Sequence, residues 1–120
     1  MNRLDHLLWI LAEECGEVAH RASKAARFGM CEVQPGQLTT NAERILGEWY
    51  HAIAAIEMLI DEGHLTLPSE PEVRAAIERK KLQVAQYFSY SALCGRVDGA
   101  RWLQPATDTS ETNDSAGAAP

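Results

Sequence analysis

Apolar residues recur at steps of three and four from Leu4 to about Arg27, through Leu4, Leu7, Leu8, Leu11, Cys15, Val18 and Ala22, which is the period of an amphipathic helix. Phe28-Gly29 ends this first helix. GMCEVQPGQL, with Pro35-Gly36, reads as a loop because proline and glycine interrupt helices and favour turns. Thr39, Thr40 and Asn41 each suit an N-cap, and Glu43 three residues after Thr40 completes the pattern of a capping box, so a second helix is expected to begin there. Its stripe is Ala42, Ile45, Leu46, Trp49, Ile53, Ile56 and Ile60, and Gly63 suits a left-handed stop. Ser69 with Glu72, and Pro71 inside the first turn, open a third helix through VRAAIERKKLQVAQYF, with Arg74, Glu78, Arg79, Lys80 and Lys81 on a solvent-facing side. SYSALCGRVDGARWL predicts one more short helical stretch, interrupted by Gly95 and Gly99. The fold class is therefore all-α, a helical bundle of about three long helices plus a short one.

With 120 residues, 46% of them hydrophobic, the chain suits one domain with a modest core, assigned to residues 1–103. Such a core is often completed by a copy of the same chain, so a homo-oligomer, dimer or tetramer, is expected. Residues 104–120 are polar and carry Asp108, Glu111 and Asp114 with no Lys or Arg, which predicts a disordered acidic tail. The net charge of −6 offers no basic stripe for a phosphate backbone, which disfavours nucleic acid as a partner. No apolar run approaches the roughly 20 residues of a membrane span. The start, MNRLDHLLWILAEEC, has acids where a secretory core would continue, and the three cysteines are irregularly spaced, so a reducing cytoplasm is the expected compartment. Cys15, His20 and Cys31 lack the CxxC or paired-histidine spacing of a zinc site.

Placed on a wheel at 100° per residue with Leu11 at zero, the first stripe centres near 10°, with Glu14 at about 300°, Arg21 at about 280°, Glu17 at about 240° and Lys24 at about 220°. Glu13, at about 200°, lies farthest from the stripe. With Trp49 at zero, Asn41, Glu48, Ala55 and His51 fall at about 280°, 260°, 240° and 200°. Antiparallel packing through the two stripes would bring Glu14, Glu17 and Glu48 to one rim, with Ala52 and Ala55 permitting close approach. Converging carboxylates repel one another unless a divalent ion neutralises them, and oxygen ligation selects Mg²⁺ or Mn²⁺. Such an ion can bind phosphate oxygens and activate water. On wheel geometry alone, EECGE is more simply read as a solvated helix face, since charge runs on amphipathic helices usually serve solvation.

LAEECGEVAHRASKAARFG resembles the signature first helix of the MazG-like all-α nucleoside triphosphate pyrophosphohydrolases, especially their short phage-borne forms. The family hallmark is E-x-x-E followed by E-x-x-D. Glu14 and Glu17 match the first pair, and Glu48, within NAERILGEWYHAIAAIEMLIDEG, matches the start of the second; the likeness covers roughly residues 4 to 63. The resemblance implies that Glu14, Glu17 and Glu48 are catalytic and hold the metal, while Lys24 and Arg27 hold the triphosphate. Cations near a helix C-terminus are also favourable for the dipole alone. Asn41 either touches the nucleotide or, more simply, caps its helix. His51 stands where the family has an aspartate. An imidazole suits Mn²⁺ better than Mg²⁺, so His51 is either a metal ligand or a residue behind the ligands. Trp9, Trp49, Trp102 and Tyr50 could stack on a base, but Trp49 sits in its stripe as a core residue would.

The implied reaction cuts a (d)NTP to the monophosphate and pyrophosphate. Among the short phage forms, the MazZ group acts on dGTP or GTP, which makes dGTP the expected substrate and the host cytoplasm the expected place if the chain is phage-encoded. The competing reading is a non-catalytic helical adaptor, for which His51 would mark a degenerate metal site.

Overall fold

In the computed structural model, residues 1–98 are described, and they form three helices: α1 (Arg3–Phe28), α2 (Asn41–Asp61) and α3 (Glu70–Leu93). The expected acidic tail, together with Gly99 and Trp102, lies outside the described residues. The chain divides into two units, Met1–Leu67 and the segment from Pro68 onward. Among the described residues no helix is long and apolar enough to cross a membrane.

Each helix starts where a side chain can take up free backbone N–H groups. At α1, Asn2 accepts from the Asp5 backbone N–H at 2.8 Å, and this capping box starts the helix at Arg3, one residue before the Leu4 at which the apolar period begins. At α2, Thr40 Oγ1 accepts from Glu43 N–H at 3.2 Å and Glu43 Oε2 accepts from Thr40 N–H at 2.7 Å, as expected from the spacing. Ser69 and Glu72 do the corresponding work at α3, where Glu72 Oε2 accepts from Ser69 N–H at 2.9 Å. These contacts hold the Glu43 and Glu72 carboxyls below the ordinary carboxylate range. The stops also follow the sequence. Gly29 adopts φ 98° just after α1 and Gly63 adopts φ 76° just after α2, backbone angles that a side chain resists. α3 runs on through SYSAL to Leu93, and among the described residues of that stretch, 89–98, no separate short helix follows; the rest of it lies outside the described residues.

The first unit is an antiparallel helix pair. Arg3 meets Glu62, Glu14 meets His51 and Arg21 meets Glu48, so partner numbers fall as the chain position rises. The 12-residue gap between the helices, residues 29–40, folds onto the first turn of α2. Asn41 and Ala42 backbone N–H groups donate to Glu32 O and Met30 O, both at 3.0 Å. Two donors that the helix leaves free are thereby satisfied.

The buried faces differ from the predicted stripes. Leu7 and Ala25 of α1 and Ala52, Ala55 and Leu59 of α2 form the core. On the wheels used above, Leu7 and Ala25 fall at about 320°, and Ala52, Ala55 and Leu59 between about 240° and 300°. The contact face is thus turned by about 50° in α1 and about 100° in α2 toward the charged flank. Small residues explain the turn. Three alanines at the contact let the two backbones approach, whereas the bulkier Leu8, Leu46 and Trp49 would hold them apart. The expectation that Trp49 is core is corrected accordingly: it is 51% exposed. Leu8, Trp9 and Leu46 are exposed too, and Cys15 lies outside the core.

Candidate metal centre

Glu14 on α1 and Glu48 with His51 on α2 come together. One potential ligand atom from each lies within 4.8 Å of the others, the one such grouping among the described residues. Three residues separate Glu48 from His51, which places both on one helical face. The rotation of both buried faces toward the charged flank carries Glu14 and Glu48 into the edge of the contact, where they are half-buried, while His51 stays exposed. His51 Nδ1 stands 3.1 Å from Glu48 Oε2 and 3.5 Å from Glu14 Oε2. The imidazole therefore bridges carboxylates that belong to different helices.

Glu17, expected in the same cluster, is half-buried but is not one of the three grouped residues. Glu13 is exposed, in line with its place on the wheel. A cation joins the cluster: Arg21 Nε donates to Glu48 Oε1 at 3.3 Å, and the two side chains are only 17% and 18% exposed. Arg21 was legible on the charged flank of α1, yet its partner on α2 was not, because a wheel contains one helix at a time.

Lys24 and Arg27 lie farther along α1, and both lean on Phe28, with the Lys24 Nζ 5.7 Å and the Arg27 guanidinium 4.9 Å from the ring centroid. Among the described residues neither forms an ion pair within 4.0 Å, which leaves two cations available at this end of the pair. Lys24, Phe28, Glu32, Gln34, Pro35 and Asn41 line a pocket of 220 Å³.

Asn41 is buried to 2% exposure, and its role differs from the capping expected of it, which Thr40 performs. Its Nδ2 donates to Gly29 O and to Glu32 Oε2, both at 2.8 Å. This amide ties the end of α1, the loop and the start of α2 together, and it fixes the Glu32 carboxylate beside the pocket. No local pattern announces that role for Glu32, since its partner is nine residues away. Tyr50 and Trp49 are exposed on α2, and Trp9 is exposed on α1. Cys15, Cys31 and Cys94 are free thiols and form no metal grouping among the described residues. In comparison with known proteins, no protein family, no curated protein and no solved structure matches this chain.

Proposed function

We propose that the chain is a metal-dependent nucleoside triphosphate pyrophosphohydrolase that converts a (d)NTP, with dGTP or GTP the favoured substrate, to the monophosphate and pyrophosphate. The observation that carries this reading is the convergence of Glu14, Glu48 and His51 from two helices, two of them at the positions where the chain resembles the MazG-like motif. Two carboxylates and one imidazole suit a divalent ion of mixed oxygen and nitrogen preference, so Mn²⁺ fits this set at least as well as Mg²⁺. When bound, such an ion draws phosphate oxygens to the site and lowers the pKa of a water.

In this reading Glu14 and Glu48 supply the negative charge that retains the ion, and Glu17, one turn along α1, accepts a proton from the attacking water. His51 orients both carboxylates or serves as a ligand. Lys24 and Arg27 attract the triphosphate, and the Phe28 ring beneath them limits the directions in which they point. Asn41 acts indirectly by holding the loop that carries Glu32. The exposed Leu8, Trp9, Leu46 and Trp49 are where a second copy of the chain would complete the core.

One observation favours the adaptor reading. The Glu48 carboxylate already has Arg21 on one oxygen and His51 on the other, so the cluster can persist without metal. Release of pyrophosphate from a panel of (d)NTPs, with Mg²⁺ and with Mn²⁺, separates the two readings. Metal-dependent release, greatest with dGTP, is the expected result, and no release from any nucleotide with either ion sinks the enzyme.

A further inference from the structure

We propose that Arg21 is the resident counter-ion of the Glu14–Glu48 cluster: it pairs with Glu48 when no metal is bound, and an incoming divalent ion must move it off Glu48. The inference rests on the reading of this cluster as a metal centre and goes beyond it by assigning a competitor built into α1.

Glu14 and Glu48 approach across the helix contact at positions that are about one-fifth exposed, and two carboxylates so placed repel one another. The Arg21 guanidinium supplies one positive charge on the Oε1 side of Glu48, at 3.3 Å. Its own side chain is 17% exposed, so water screens this pair less than it screens the surface pairs of α3, where Arg74 and Glu78 are 65% and 52% exposed. Arg21 lies two helical turns from Glu14 on the same face of α1, and the pair it forms with Glu48 crosses to α2. The contact therefore links the helices and offsets one of the cluster's two negative charges.

Geometry then sets the competition. Glu48 Oε2 faces His51 and Glu14, whereas Oε1 is held by the guanidinium. An ion bridging Glu14 and Glu48 can use Oε2 only with a full positive charge a few ångströms away on the same carboxylate. Like charges at that separation repel appreciably even at an effective dielectric constant of about 20. Metal binding and the Arg21–Glu48 contact should thus oppose one another, and a guanidinium set free beside the ion is placed to meet an anionic group that the ion brings in.

The test uses the full chain, with Arg21→Met, which keeps the aliphatic packing and removes the charge, and Arg21→Lys, which keeps a charge but loses the Nε donor. Mn²⁺ affinity is measured by calorimetry or by the electron-spin signal of free Mn²⁺, and melting temperature is followed with and without the ion. The Met variant should bind Mn²⁺ roughly tenfold more tightly than the parent chain. It should also melt lower than the parent without metal and gain more on adding it. The Lys variant should fall between the two in affinity. If the parent binds Mn²⁺ and both variants bind it equally or more weakly, Arg21 does not compete, and this inference fails while the metal centre stands. If neither the parent nor the variants bind the ion, the metal centre fails and this inference with it. Should the Met variant not fold without metal, the Lys variant alone decides by the same comparison.

Discussion

α1 and α2 bury Leu7, Ala25, Ala52, Ala55, Leu59 and Asn41, whereas α3, of similar length and with its own capping-box pair, buries none of its residues. All three helices carry start signals that local chemistry explains. Among the described residues, side chains from different helices sit at defined distances only in the first unit, and every residue of the candidate site is there. On α3 the ion pairs run along one helix, Lys81 to Glu78 at 2.8 Å and Arg74 to Glu78 at 3.7 Å, at positions that are half-exposed or more. Pairs of that kind contribute a few tenths of a kcal/mol at most. The comparison teaches that helix formation needs only propensity and caps, while a site needs a second surface to hold its groups in place.

The sharpest way to break this contrast is to neutralise one acid in each unit. Glu14→Gln and Glu48→Gln should each lower metal-dependent pyrophosphate release on the order of 100-fold or more, because each removes charge that the ion requires while preserving shape. Glu17→Gln should abolish turnover as well if it handles the proton. Glu78→Gln on α3 should leave the rate unchanged, and Glu13→Gln, on an exposed position, should be mild. Circular dichroism checks that helicity is intact. A Glu78 effect as large as that of Glu14 would place chemistry on the wrong unit.

Core truncation gives the next largest effect. Leu7→Ala or Leu59→Ala should cost about 2–5 kcal/mol, since both side chains are at most 2% exposed and leave a cavity behind. Leu82→Ala on α3, at 67% exposure, should change stability by less than about 0.5 kcal/mol. Urea titration measures both. A cost at Leu82 comparable with that at Leu59 would show that α3 has a packing partner.

How much was readable beforehand divides along the same line. Thr40 with Glu43, Ser69 with Glu72, Gly29 and Gly63 were legible because caps and stops act within a few residues of the chain. The meeting of Glu14 with Glu48 was anticipated from shared flanks, since both wheels had their acids on the same side. The close approach expected at Ala52 and Ala55 is found, but the buried faces centre on these alanines and Ala25, away from the stripes of large apolar residues, because periodicity ranks side chains by size and not by how near they let two backbones come. Arg21 on Glu48 and Asn41 on Glu32 were out of reach for a different reason: both depend on which atoms meet after packing, and no periodicity encodes that.

A smaller effect should distinguish the two capping boxes. Thr40→Ala should cost about 1 kcal/mol, and because α2 is packed the loss should appear in the global transition of the first unit. Ser69→Ala should instead fray the start of α3. Acid sharpens the test. Glu43 and Glu72 have their folded pKa values lowered, by hydrogen bonds from Thr40 and Ser69, so each contributes stability that is present above the ordinary carboxylate pKa and is lost as pH falls through the lowered value. Helicity followed by circular dichroism on acidification should show that loss in the parent chain. It should be weaker in Thr40→Ala and Ser69→Ala, whose glutamates no longer have the hydroxyl.

The finest discrimination concerns His51, whose Nδ1 lies within reach of both acids yet whose side chain is 63% exposed. If the imidazole is a ligand, Mn²⁺ should support faster turnover than Mg²⁺, because nitrogen favours the softer ion. His51→Asp replaces that nitrogen with oxygen, so the Mn²⁺ to Mg²⁺ rate ratio should fall severalfold. A histidine that only orients Glu14 and Glu48 predicts a nearly constant ratio with both rates changed together, since the ion would keep the same donor atoms. The Asp variant also adds a third carboxylate to Glu14 and Glu48, which strengthens the hold on any cation and moves both affinities in one direction. The ratio is therefore the diagnostic quantity, and a constant ratio with unchanged Mn²⁺ affinity in His51→Ala removes the imidazole from the metal and leaves Glu14 and Glu48 to hold it.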